Sequence, residues 1–202
     1  MKEFWDERYR AEAFVYGEAP NAFLKAQLEA LKPGAILFPA EGEGRNAVYA
    51  ATLGWTVSAF DQSVEGQKKA LRLAAKHGVA LGYRVGEFRE IAYAPEQFDA
   101  IALIYAHFSA DTKSAYHRML DTFLRKGGTL IFEAYSKDHL RFNEKNDKVG
   151  GPRDPGMLFS LEEIRADFPG YEVLELSQQE LEQNEGMFHT GMGSVIRFVG
   201  RK

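Results

Sequence analysis

Two glycines, Gly42 and Gly44, interrupt the run Ala40-Glu41-Gly42-Glu43-Gly44-Arg45-Asn46, which directly follows the apolar stretch Ile36-Leu37-Phe38-Pro39. Lacking Cβ atoms, a backbone there can pass close to a ligand. From Arg45 onward a helical pattern opens, and its first amide hydrogens have no partner within the helix. Asp61 ends the next apolar stretch, where a carboxylate can accept hydrogen bonds from both hydroxyls of a ribose. Glu87 follows a third stretch; its carboxylate would accept from an adenine amino group, and Phe88 would give the ring an apolar contact. Singly, these features read as a strand-to-helix turn, a helix cap and a surface acid. Glycine turn, interval and strand-end acid together point to a nucleotide-like cofactor.

Beyond a fourth apolar stretch lies Tyr105-Ala106-His107-Phe108. Imidazole titrates near neutral pH, so His107 is the candidate general base; the alternative is a structural histidine with both nitrogens satisfied. His139, Arg141, Arg153 and His189 could reach the same cleft from more distant segments. Arg153 could pair with an anionic substrate, or stand as a solvated loop charge. The histidines lack the spacing of a metal site, so none is expected. Trp5, Tyr9 and Tyr16 are read either as packing of an N-terminal cap or as a lid over the cofactor.

The elements that must hold these groups alternate. Residues 3–13 and the stretch from Phe23 to Leu31 have helical spacing. Strands are expected over Ala35–Pro39, Trp55–Phe60, Leu81–Val85, Ala100–Tyr105 and Thr129–Ala134. Helices are expected over residues 45–53 and Val64–His77, with Ser63 as N-cap, and over the stretch holding Tyr116 and Phe123. Residues 135–159 are polar and rich in glycine and proline, as a functional or mobile loop would be. Ser160-Leu161-Glu162-Glu163 is a capping box opening a short helix, and Tyr171–Leu181 with Gly193–Val199 reads as an antiparallel pair. Such alternation predicts a doubly wound, Rossmann-like, mostly parallel α/β sheet of seven strands, helices on both faces and a C-terminal antiparallel hairpin. One domain over 1–202 is expected: a helical cap at 1–33, a cofactor-binding core at 34–134, a substrate-side loop at 135–159, and a C-terminal helix and hairpin at 160–202.

Composition bounds the function. The 202 residues carry 25 Lys+Arg against 29 Asp+Glu, a net charge of −4, with no basic block; this argues against non-specific nucleic-acid binding. No cysteine is present, which removes thiol nucleophiles, thiolate metal sites and disulfides. There is no signal-peptide core and no apolar run of membrane-spanning length. The expectation is a cytoplasmic protein, monomer or homodimer, with a small-molecule partner rather than nucleic acid or membrane.

The turn lacks the three-glycine dinucleotide fingerprint. Its pattern resembles the class I S-adenosylmethionine-dependent methyltransferases, through the Ala40–Gly44 turn, Asp61, Glu87 and the terminal hairpin, over nearly the whole chain. Gly42-Glu43-Gly44-Arg45-Asn46-Ala47 is similar to the turn of the tellurite-resistance group, whereas Phe38-Pro39 and the early Trp5 resemble the thiopurine methyltransferase group. The chain departs from the common pattern at Phe38, where an acid is usual, and at Ala40, where a glycine is usual; Glu41 would then face the methionine amino group. The resemblance implies S-adenosylmethionine as cofactor, with S-adenosylhomocysteine as product. It would be held by the turn residues Ala40, Glu41, Gly42, Gly44 and Asn46, by Asp61 and Gln62, by Glu87 and Phe88, and by Tyr105 and Trp5. The reaction implied is methyl transfer to a small molecule, with a soft sulfur, selenium or tellurium acceptor as one class, aided by orientation more than by acid–base groups. The rival readings are a nicotinamide-dependent oxidoreductase and a non-catalytic S-adenosylmethionine-binding regulatory module.

Overall fold

The computed structural model describes residues 2–202. Its centre is a seven-stranded sheet with strands β1 (Ala35–Pro39), β2 (Thr56–Asp61), β3 (Gly82–Val85), β4 (Phe98–Ile104), β5 (Leu124–Tyr135), β6 (Glu172–Glu185) and β7 (His189–Arg201), in the spatial order β3-β2-β1-β4-β5-β7-β6. The first five are parallel; β7 runs antiparallel to both β5 and β6. Strand order reverses between β1 and β4, so a crevice opens beyond their carboxyl ends. The alternation of short apolar runs and helical patterns is thus realised as the expected doubly wound sheet.

The helices are α1 (Lys2–Tyr9), α2 (Ala22–Ala30), α3 (Arg45–Thr52), α4 (Val64–Lys76), α5 (Lys113–Phe123), the single turn α6 (Leu140–Asn143) and α7 (Leu161–Asp167). The starts of α2, α4 and α7 are set by side chains that satisfy free amide hydrogens. Asn21 Oδ1 accepts from Leu24 N at 2.9 Å, and Ser63 Oγ from Gly66 N at 3.0 Å. At α7 the capping box closes both ways: Ser160 Oγ accepts from Glu163 N at 3.3 Å, and Glu163 Oε2 from Ser160 N at 2.9 Å. On α4 the buried positions Gly66, Lys69, Ala70, Leu73 and Ala74 follow helical spacing and pack inward. One face of the sheet packs Phe60, Phe98, Leu103, Phe132 and Phe198 under α5 and α7; the other packs Phe38, Ala59 and Ile131 with Leu24 and Leu28 of α2.

Three expectations change. α1 ends at Tyr9 rather than residue 13, because residues 10–17 form a bent strap instead. β5 begins at Leu124, directly after α5, with a register break against β4 between Phe98 and Ala100. The segment after β5 is packed and not an open loop. Phe159 N donates to Tyr135 O at 3.1 Å and Lys137 N to Phe159 O at 3.0 Å, closing its ends. Between them His139, Asn143, Val149 and Leu158 are buried.

Candidate active site

The turn after β1 places three residues at positive φ: Ala40 at 52°, Gly42 at 60° and Gly44 at 85°. Both glycines are also required by packing. A Cβ on Gly44 would lie 2.4 Å from Ala70 Cβ, so this glycine lets α3 and α4 meet. A Cβ on Gly42 would lie 2.5 Å from Tyr9 Oη, so it makes room for α1. Neither lines the cleft; Ala40, Glu41, Glu43, Arg45 and Asn46 do. The glycines shape the turn, and its side chains face the ligand space.

Glu41 Oε1 accepts from Asn46 N at 2.9 Å and Ala47 N at 2.8 Å, capping α3 from the preceding turn. Burial still outweighs these bonds and pushes its carboxyl up to about 7. Asp61, at the end of β2, accepts from Ser63 N at 2.8 Å through Oδ1 and from Gly42 N at 3.1 Å through Oδ2. Burial again prevails and raises it to about 6. Two carboxylates therefore face one cleft with lone pairs uncommitted, and with charge that a cation or a set of donors would stabilise. Glu43 is different. It accepts from Val15 N and Tyr16 N and pairs with Lys69 at 2.7 Å, so it ties the strap to the turn and to α4.

On the far wall Tyr105 follows β4 with φ 52°. Its Oη receives a hydrogen bond from Gln183 Nε2 at 2.8 Å, and its ring lies 4.4 Å from that of His189. His107 also lines the cleft, but both ring nitrogens are engaged. Nδ1 lies 2.9 Å from Met157 O and Nε2 3.4 Å from Tyr135 N, so Nδ1 carries the proton and Nε2 accepts. Burial lowers its pKa to about 4. A base needs a free lone pair and a pKa near the working pH, whereas here both nitrogens of His107 have partners in the fold. His139 is likewise engaged, with Gly150 O at 3.0 Å and Ser194 N at 3.3 Å.

His189, at the start of β7, is the histidine left open. Its Nδ1 lies 3.3 Å from Glu185 Oε2, and Nε2 has no partner among the described residues. Glu185 also takes Arg45 Nη2 at 2.7 Å. Burial opposes its charge, yet the His189 hydrogen bond and the Arg45 guanidinium hold it down to about 2. His189 is itself lowered, by burial first and then by Arg45, and is neutral near pH 7. The signal available in sequence was Glu185 and His189 flanking one hairpin turn.

The roof is α1. Trp5 stacks on Tyr9 with ring centroids 5.4 Å apart, and both line the cleft with Phe4, Arg8 and Tyr16. Asp6 accepts from Ser63 Oγ at 2.6 Å, fastening α1 beside Asp61. Gln62 and Asn46 are on the lining as expected, whereas Glu87 and Phe88 are not. Phe88 is buried and stacks on Tyr116 of α5 at 4.1 Å, with Phe60 and Phe108 edge-on. Glu87 is exposed and opens a short turn over Phe88–Glu90. An aromatic after a strand can face a cleft or pack beneath it, and here α5 captures it. Arg153 and Met157 come to the mouth from the packed segment; Arg141 does not, because it pairs with Glu180 outside.

The enclosed space is about 470 Å³, within the range of about 300–1,000 Å³ common for small-molecule sites. Residues 39–132 match the family model of a methyltransferase domain, a span that runs from the end of β1 through most of β5. A search among curated proteins found no match. Solved structures agree in fold. One, from work on the conversion of a disulfide bond into a thioacetal group during echinomycin biosynthesis, has a TM-score of 0.74 at 23% identity, covering 100% of this chain and 91% of that one. TehB from Haemophilus influenzae gives 0.71 at 16%, covering 100% and 66%. Magnesium protoporphyrin IX methyltransferase from Synechocystis PCC 6803, solved with bound SAH, gives 0.70 at 14%, covering 100% and 98%. Residues 39–132 are thus similar to a methyltransferase domain, and the seven-stranded sheet around them has the fold of these solved structures.

Proposed function

We propose that this methyltransferase binds S-adenosylmethionine in the cleft under α1 and methylates a small molecule with a soft nucleophilic atom of the sulfur, selenium or tellurium kind. The observation that carries the cofactor assignment is the pair Glu41 and Asp61. Asp61 is buried and Glu41 half-buried; each carboxyl is raised toward neutrality and keeps acceptor capacity, and they sit at adjacent strand ends. A ligand bearing an ammonium group and a ribose diol supplies the cation and donors that these two lack.

S-adenosylmethionine, when bound, supplies an activated methyl group open to in-line attack by the acceptor. The residues do the rest. Glu41 would hold the ammonium and Asp61 the ribose hydroxyls. Ala40, Asn46, Gln62 and Tyr105 form walls, and Trp5 with Tyr9 covers the space and excludes water. His189 would accept a proton at Nε2 from an acceptor that arrives protonated, while Glu185 holds Nδ1–H and so fixes the tautomer. The setting we propose is the cytoplasm.

Calorimetry with S-adenosylmethionine, S-adenosylhomocysteine and NAD tests the cofactor; binding of NAD alone would sink the proposal. Thiols, selenite and tellurite are then screened for methyl acceptance. Tight cofactor binding with an empty screen would point instead to a regulatory module.

A further inference from the structure

A methionine moiety brings a carboxylate as well as an ammonium, and the carboxylate needs a cation. Among the described residues, the basic side chains lining the cleft other than histidine are Arg8, Arg45 and Arg153. Arg45 is committed: Nη2 pairs with Glu185 and Nη1 donates to Tyr16 O at 3.2 Å. Arg153 pairs with Asp147 on the exposed side of its own segment. Arg8 differs. Nη1 donates to Tyr16 Oη at 3.0 Å, and the group makes no ion pair among the described residues. Its guanidinium is held between two rings, with Cζ 4.5 Å from the centroid of Phe4 and 4.5 Å from that of Phe188. A planar fork fixed on its faces and free along an edge is prepared for a carboxylate.

The position agrees. Arg8 adjoins Tyr9, whose hydroxyl is the atom a Cβ on Gly42 would strike, and Arg8 is bonded to Tyr16, whose backbone nitrogen Glu43 holds. It therefore stands over the same turn that presents Glu41. We infer that Arg8 binds the methionine carboxylate of the cofactor, completing with Glu41 a site for both charges of the amino acid. The inference rests on the S-adenosylmethionine reading. It also makes α1 a cofactor-binding element through a charge as well as through its aromatic roof.

S-adenosylmethionine and decarboxylated S-adenosylmethionine differ in this carboxylate alone, and calorimetry of the wild type, Arg8→Gln and Arg8→Lys with both compounds tests the role. The wild type should prefer the carboxylated form by about 10- to 100-fold, the range for charge-assisted hydrogen bonds. Arg8→Gln should lose that preference by weakening S-adenosylmethionine alone, and Arg8→Lys should keep part of it. Retention of the preference in Arg8→Gln would overturn the assignment, as would equal weakening toward both compounds, which would mark a purely structural role. Unchanged affinity for both would overturn it as well. A wild type that binds neither compound would defeat the cofactor reading itself, and the role of Arg8 with it.

Discussion

His107 Nδ1 lies 2.9 Å from the carbonyl oxygen of Met157, 50 residues further along the chain. This bond, with Nε2 against Tyr135 N, fastens the far end of the segment after β5 to the tip of β4. The imidazole is neutral, because burial lowers its pKa to about 4.

His107→Ala should therefore act on stability first. Losing both bonds leaves a buried N–H and carbonyl unpaired, at about 1–3 kcal/mol, or a fall in Tm of roughly 2–4 °C per kcal/mol for a chain of this size. The pH dependence has a defined sign. With its folded pKa below the ordinary 6.5, His107 gives stability that is full above pH 6.5 and is lost as pH falls toward 4. The variant should show a shallower loss between those values in urea unfolding. An unchanged acid limb would refute the anchoring role.

Turnover should depend on His189 instead. His189→Asn should lower kcat on a protonated acceptor by about 10²–10⁴-fold, the range of general-base catalysis, and leave cofactor affinity within a factor of a few. Glu185→Gln should lower kcat less and disturb Arg45 as well. Equal loss of cofactor binding in His189→Asn would remove the histidine from the acceptor side.

Binding of the cofactor should release protons. Glu41 and Asp61 are raised, by burial foremost, to about 7 and about 6. Such raised carboxylates favour the fold when protonated. Their contribution is present in acid and is lost as pH rises through the folded values, so a ligand that needs them ionised binds more tightly from pH 6 to 8. Calorimetry at pH 6.5 in buffers of different ionisation enthalpy should detect the release. Asp61→Ala should weaken binding by about 1–3 kcal/mol.

The two glycines should separate in their effects. Gly44→Ala forces a Cβ to 2.4 Å from Ala70 Cβ and 2.7 Å from its Cα, at φ 85°, and should cost about 1–3 kcal/mol in unfolding experiments. Gly42→Ala meets chiefly the end of Tyr9. It should displace α1 and change the fluorescence of Trp5 more than it changes Tm. Trp55, the other tryptophan, is buried away from α1 and provides a constant background.

The sheet was legible because β1 and β4 are apolar runs with turn residues at both ends, a pattern that local chemistry dictates. That Asp61, Glu41 and Trp5 line one cleft was legible because their position on an element decides which way they face. What sequence left illegible shares a cause. The partners of His107 are backbone groups of Met157 and Tyr135, which leave no mark in residue type. The fate of Phe88 is decided by Tyr116, on a helix two elements away. The standing of His189 depends on Glu185 and Arg45, the latter 140 residues from the former and joined to it only by the fold. Side chains whose roles depend on distant partners cannot be read from neighbours in sequence.

The strap joins the segment before β1 to the hairpin of β6 and β7. Val15 O accepts from Met187 N at 2.7 Å, and Asn21 Nδ2 reaches Glu133 at 2.6 Å and Glu185 at 3.2 Å. A polypeptide still emerging from the ribosome, with β1 to β4 made and the last hairpin not yet out, already has its glycine turn and both cleft carboxylates. Glu43 and Lys69 already hold the strap on one side, but its contacts with the hairpin are missing. The cleft is thus closed by segments far apart in the chain, and a chain lacking the hairpin would have its strap held on one side only.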